Sequence, residues 1–165
     1  MSLSDGDSAT GDASARETGE PLDDFFRRSW ADLVRLATFL TGSVPTAEDL
    51  VQDTFLRFGA RTGAPPDDAA RYLRTSVVNA CRSYHRRRLL EYRHRQGLPR
   101  PDTDSPGELF DVLDRLTPRQ RTALVLRYYL DLPEEEIAAT LRCRPSTVRS
   151  LILRGLIKMR EELIP

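Results

Sequence analysis

Between Gln96 and Gly107 the chain carries Gly97, Pro99, Pro101, Pro106 and Gly107. Prolines at that density remove backbone donors and fix φ, so neither helix nor strand can run through the segment. On both sides of it apolar residues recur at intervals of three and four, and no stretch alternates with a period of two. The expectation is an all-α protein made of two small helical domains, residues 22–95 and 108–165, joined by a flexible linker at 96–107. With 165 residues the chain has room for two such units and little else. Residues 1–21 hold Ser, Gly, Asp, Ala and Thr with little apolar surface, which predicts a disordered acidic tail.

In the first unit, Phe25, Phe26, Trp30, Leu33, Val34, Leu36, Ala37 and Leu40 form one stripe, and Thr41-Gly42-Ser43 ends it. A second helix is expected to open at Thr46, with Thr46 and Asp49 spaced as an N-cap and its third residue. Its stripe is Ala47, Leu50, Val51, Thr54, Phe55 and Phe58, while Glu48, Asp49, Gln52, Asp53 and Arg57 point away. Gly59 to Asp68, with Gly63 and Pro65-Pro66, reads as an exposed loop. A third helix runs from about Ala69 to Arg88 or beyond, with Tyr72, Leu73, Val77, Ala80, Cys81 and Tyr84 inward and most arginines outward.

In the second unit, Leu109, Val112, Leu113 and Leu116 predict a short helix. Thr117-Pro118-Arg119-Gln120 then places an N-cap threonine, a first-turn proline and a third-position glutamine before a helix reaching about Leu130. Pro133 followed by Glu134, Glu135 and Glu136 opens another helix with core residues Ile137, Ala138 and Leu141, since acids in a first turn complement the helix dipole. After Arg142-Cys143-Arg144-Pro145, Ser146 is read as the N-cap of a last helix ending near Leu163. A helix, a turn of about four residues and a longer helix make a helix-turn-helix, whose second member enters the major groove. Projected at about 100 degrees per residue, that last helix puts Val148, Leu151, Ile152, Gly155, Leu156, Met159 and Leu163 on a core face. Ser146, Arg149, Ser150, Leu153, Arg154, Ile157 and Arg160 fall on the outer face, where arginines suit phosphates and guanine edges and Leu153 suits a thymine methyl or a protein partner.

The formal net charge is zero, but it is unevenly spread. Residues 1 to 24 hold seven acids against Arg16, whereas Arg71 to Arg100 hold nine arginines against Glu91. A basic stretch of that kind suits a polyanion, because each neutralised phosphate releases counterions. Catalytic patterns are missing: there is no glycine-rich phosphate loop, no His-Glu-x-x-His and no nucleophile motif. Cys81 and His85 share a helical face at a spacing that can hold a metal, but no second pair accompanies them, so no metal and no cofactor is expected. The two cysteines build no disulfide framework. The first twenty residues have no basic and apolar leader pattern, and a cytoplasmic protein is expected.

Three segments resemble one family. LVRLATFLTGSVPTAEDLVQDTFLRF is similar to the first-domain signature of bacterial RNA polymerase sigma factors of the extracytoplasmic-function (ECF) type, the group of the sigma-70 family that keeps only two sigma domains. YLRTSVVNACRSYHRRR resembles the promoter-melting segment of that family, and LDRLTPRQRTALVLRYYLDLPEEEIAATLRCRPSTVRSLILRGLIKMREEL its second-domain helix-turn-helix. The resemblance spans about residues 25 to 163, with both halves in order. It implies a region 2-like unit that binds core RNA polymerase through Asp49, Gln52, Asp53 and Leu56. It further implies contacts to the minus-10 strand by Asn79, Arg82, Ser83, Arg86 and Arg87, with the Gly59–Asp68 loop holding a flipped base. The region 4-like unit would read the minus-35 element with Arg149, Ser150, Leu153 and Arg154. An anti-sigma factor that covers these same surfaces is an implied partner.

The chain departs from the family pattern at named positions. Tyr72 stands where tryptophan is usual and Ser83 where aspartate or asparagine is common, which shifts the expected minus-10 preference. Ser146 replaces a frequent glycine, Leu151 and Leu156 replace frequent arginines, and Leu153 replaces a polar or aromatic residue. The alternatives are a sigma-like helix-turn-helix regulator working without the polymerase, and a polymerase-binding protein that has lost promoter recognition. A surface such as Asp49, Gln52 and Asp53 is not needed by a simple repressor.

Overall fold

A computed structural model describes residues 22–61, 68–94 and 107–164. Seven α-helices and no strand occur among them: α1 (Leu22–Thr41), α2 (Val44–Gly59), α3 (Ala69–His94), α4 (Glu108–Asp114), α5 (Pro118–Leu124), α6 (Glu134–Leu141) and α7 (Pro145–Leu163). The expected tail, most of the linker and residues 62–67 of the Gly59–Asp68 loop lie outside the described residues.

α1, α2 and α3 form the first bundle. Gly42 takes a φ of +77°, a region costly for residues with a Cβ, and its N–H donates to the Thr38 carbonyl to end α1. The chain turns at once into α2, whose N-cap lies three residues earlier than the spacing of Thr46 and Asp49 predicts. Ser43 is its N-cap, accepting from the Thr46 N–H at 3.4 Å, with Pro45 in the first turn. Leu36, Leu40, Val51, Leu73, Val77 and Val78 are fully buried between the three helices. Beside them Phe26 meets Phe55 edge to face at 4.4 Å, and Trp30 stacks on Phe55 at 5.9 Å. Tyr72, expected inward, is exposed, because Leu73 and Val77 take the core register; Val78 is buried instead.

In the second half the capping box at α5 is complete. The Gln120 N–H donates to Thr117 Oγ1 and the Thr117 N–H to Gln120 Oε1. The helix expected to continue to about Leu130 does so with a changed pitch, Val125–Tyr129 forming a π-helical turn. α7 begins at Pro145 with Arg144 as its N-cap, so Ser146 lies inside the first turn and caps nothing. α7 crosses α5 at Gly155: a Cβ there would stand 2.8 Å from Leu124 Cδ1. Leu156 and Leu163, expected on the core face, are exposed, since α7 is covered from the α5 side only as far as Val148, Leu151 and Gly155.

The two halves are docked on each other. The Phe39 ring on α1 stacks on Phe110 of α4 at 5.3 Å and tilts against Tyr129 at 4.8 Å. Arg121 of α5, only 3% exposed, donates its Nε–H to the Phe39 carbonyl and pairs with Asp114 through Nη1, both at 2.5 Å. Glu136 at the start of α6 pairs with Arg74 of α3, with Arg71 farther out at 3.8 Å. One continuous apolar core thus includes Leu36 and Val77 from the first half and Leu126 and Leu141 from the second.

Candidate nucleic-acid interface

Three surfaces carry the residues singled out in the sequence. On α2, Asp49, Gln52, Asp53 and Leu56 recur at three- and four-residue intervals and lie along one edge, opposite buried Val51, Phe55 and Phe58. All four are exposed, Leu56 at 66%, and Asp53 pairs with Arg57 at 2.7 Å along the helix. The edge thus sets an exposed apolar side chain, Leu56, among hydrogen-bonding and acidic groups.

On α3, Asn79, Arg82, Ser83, Arg86 and Arg87 form a second stripe. Arg86 and Arg87 are exposed; Asn79, Arg82 and Ser83 are half-buried. Tyr72 lies at the other end of the helix, against Phe58 at 5.6 Å, and its hydroxyl accepts from Arg61 Nη1 at 3.2 Å. It forms an exposed aromatic face beside the Gly59–Asp68 loop, the kind of surface on which an unstacked base rests. Arg82 is held below the ordinary guanidinium range, first by burial and then by the neighbouring charges of Arg119 and Arg142.

The third surface is the helix-turn-helix of α6, the Arg142–Arg144 turn and α7. Arg142 ends α6 in the left-handed region at φ +52°, and the Cys143 N–H donates back to the Ala138 carbonyl at 3.0 Å. Arg149, Ser150, Leu153 and Arg154 are all exposed on the first half of α7, Leu153 at 60%. Arg149 is tied back to Glu134 at 2.5 Å, and the Arg154 Nε–H donates to the Ser150 carbonyl at 3.1 Å. Leu153, Leu156 and Ile157 form an apolar strip between Arg149, Arg154 and Arg160.

The Cys81–His85 pair is otherwise engaged. The His85 Nε2–H donates to the Leu40 carbonyl at 2.7 Å, and burial pushes the Cys81 thiol up to about 12, against a smaller opposite pull from Arg121. Among the described residues no three His, Cys, Asp or Glu side chains converge as metal ligands, and no helix is long and apolar enough to cross a membrane.

Sequence reasoning missed Arg74, Arg121 and Glu136, which join the halves, and Asp114, which supports Arg121 from within the second half. One signal was available for Arg121, which stands three residues before Leu124 and four before Val125, on the face those apolar residues take into the core.

Two family descriptions match the chain: "Sigma-70 region 2" over residues 25–89 and "Sigma-70, region 4" over residues 107–159. The RNA polymerase sigma-E factor of Streptomyces coelicolor is 34% identical over 157 residues, covering 88% of this chain and 89% of that protein. The ECF RNA polymerase sigma factor SigE of Mycolicibacterium smegmatis is 35% identical over 94% of this chain and 65% of its own length. In fold the chain is similar to the sigma factor RpoE of Bartonella quintana, crystallised with the anti-sigma factor NepR. That likeness has a TM-score of 0.68 at 24% identity, over 86% of this chain and 95% of the other.

Proposed function

The chain belongs to the sigma-70 family, in its ECF group, and from that we propose how its surfaces divide the work of starting transcription. It is a sigma factor that directs promoter-specific initiation. Residues 22–95 bind core RNA polymerase through Asp49, Gln52, Asp53 and Leu56 and hold the minus-10 strand along Asn79, Arg82, Ser83, Arg86 and Arg87. Residues 108–165 read the minus-35 element with Arg149, Ser150, Leu153 and Arg154, and residues 96–107 link the two. Bond making belongs to the polymerase, and the protein works in the cytoplasm. The observation that carries this reading is the presence of both regions, in order, in one chain with an exposed acidic edge on α2 that a free-standing repressor does not need.

The docked halves bear on how it works. Promoter elements centred near minus 10 and minus 35 are about 25 base pairs, or roughly 85 Å, apart along the helix axis. A compact body of this length has a radius of gyration of ~15 Å. Reaching both elements therefore requires the contacts of Phe39, Arg121 and Glu136 to part. An anti-sigma partner acts on the same surfaces; the fold likeness to RpoE, solved with NepR, and to CnrH, solved with the cytosolic domain of CnrY, supports that partner class.

The test is in vitro transcription from pooled genomic fragments with host core polymerase, with and without the protein, mapping RNA 5′ ends. New starts sharing two upstream elements are expected. No new starts with core binding intact would favour a polymerase-binding protein, and neither starts nor core binding would favour a free-standing regulator.

A further inference from the structure

Three glutamates open α6, and although all of them suit the helix dipole, the fold gives them different neighbours. Glu136 faces α3 and pairs with Arg74 at the seam between the halves. Glu135 is exposed. Glu134 turns towards α7, where its Oε2 accepts the Arg149 Nε–H at 2.5 Å. The carboxylate is the sheltered partner, its side chain 29% exposed against 66% for Arg149, so the first turn of α6 holds the guanidinium and not the reverse.

A pair this open to water contributes little to stability. Its geometry has another use. A guanidinium engaged through Nε keeps the two Nη groups of its far edge as parallel donors, the fork that meets guanine O6 and N7 together. No hydrogen bond among the described residues engages the Nη groups of Arg149. A free arginine on a helix surface gives up its side-chain rotations when it makes such a contact, whereas one already held by a carboxylate has fewer left to lose. Arg154, five positions on, projects about 140 degrees round the axis and bonds to its own helix at Ser150, so the restraint from α6 falls on Arg149.

We propose that Glu134 is a positioning residue for promoter reading. It presents Arg149 fork-first to the guanine of one G·C pair in the minus-35 element and so sets the base preference there without itself touching DNA. This rests on the reading of α7 as the minus-35 helix. Because Glu134 also turns a negative charge towards a polyanion, it opposes duplex binding of every sequence. Its removal therefore has two effects of opposite sign: unselected duplex binds as well or better, while the preferred guanine loses its advantage. A merely structural role would weaken both.

The experiment is enrichment of a randomised duplex library by the full chain, followed by anisotropy titrations of the enriched duplex and its single-base variants. Wild type is expected to select a motif whose preference at one G·C pair is removed by Arg149→Ala. Glu134→Ala should cut the affinity ratio of G·C over A·T at that same pair at least about fivefold, with no loss of affinity for unselected duplex. Glu134→Gln, which keeps an acceptor oxygen, should retain part of the ratio, and Glu135→Ala, which removes the same charge one position away, should retain it all. Added to Arg149→Ala, Glu134→Ala should move the ratio no further. An unchanged ratio in Glu134→Ala would overturn the proposal, as would an equal loss of affinity for all sequences. Loss at a base pair that Arg149→Ala spares would make Glu134 a direct reader of a cytosine amino group and overturn the positioning role. A wild type that selects no motif overturns the proposal and the minus-35 assignment of α7 together, whereas a selected motif with an unmoved ratio overturns the proposal alone.

Discussion

Asp114→Ala tests the buried ion pair that supports Arg121, the second-half residue that reaches the Phe39 carbonyl of the first half. Arg121 is 3% exposed and its guanidinium meets the Asp114 carboxylate at 2.5 Å, while the Asp114 side chain itself is 21% exposed. Truncating one partner of a buried pair costs about 3–5 kcal/mol, because the remaining charge stays desolvated. Here water reaches the carboxylate side and the Phe39 carbonyl still accepts from Nε, so a cost at or below the bottom of that range, about 2–3 kcal/mol, is expected. Arg121→Met removes the charge but keeps an apolar stem of similar length and should cost less. In Arg121→Met/Asp114→Ala the carboxylate no longer matters, so the double variant should resemble Arg121→Met, giving a coupling of about 2 kcal/mol. Urea unfolding of the full chain at neutral pH, followed by far-ultraviolet circular dichroism and by Trp30 fluorescence, reads all four corners of the cycle. An Asp114→Ala loss under about 0.5 kcal/mol, or strictly additive singles, would show the guanidinium to be hydrated and the reasoning wrong.

Other predictions concern single positions. Gly155→Val should lower stability by about 1–3 kcal/mol through overpacking, since its Cβ would stand 2.8 Å from Leu124 Cδ1 and 3.5 Å from Gln120 Cβ; an unchanged urea midpoint would show that α5 and α7 separate freely. Burial holds His85 below the ordinary imidazole value of 6.5, helped by Arg121 and Arg88 and opposed by the Leu40 carbonyl and Asp114. The unfolded chain therefore takes up the proton first, and this contribution is full above about 6.5 and fades as pH falls towards the folded value. Urea midpoints of wild type should drop from pH 7.5 to about 5.5 more than those of His85→Gln; equal drops would remove His85 as the cause. Asp53→Arg breaks only an exposed pair with Arg57, so the fold should persist while core polymerase capture in a pull-down fails and DNA binding remains. Arg154→Ala should weaken duplex binding and reduce the salt slope by about one, and an unaltered slope would take that arginine away from the phosphates.

The helices were legible wherever punctuation is local. Gly42, the Thr117–Gln120 box and the three glutamates after Pro133 act within a turn of where they stand, and each marks the boundary the sequence predicts. Pro145 was harder: it opens α7 one residue before Ser146, so the cap falls on Arg144, which makes no side-chain cap bond, and Ser146 lies inside the first turn. The outward turn of Leu156 follows from which side of α7 is covered by α5, and periodicity alone cannot say where such cover ends. The α2 edge and the α3 stripe emerged on continuous faces because three-and-four spacing fixes them. The seam did not, since Arg121 meets Phe39 across 82 positions and Arg74 meets Glu136 across 62, separations that no local pattern encodes.

Those separations also set an order in time. Every contact inside the first bundle is complete once His94 has been made, whereas Phe39 and Arg74 must wait for Tyr129 and Glu136. At about 5–20 residues per second, a ribosome takes several seconds to add the rest of the chain. During that interval each nascent molecule presents a finished first bundle whose seam-facing aromatic and arginines are bare. The newborn chain is thus transiently a one-domain protein, open to any ligand of that face before its own second half arrives to compete.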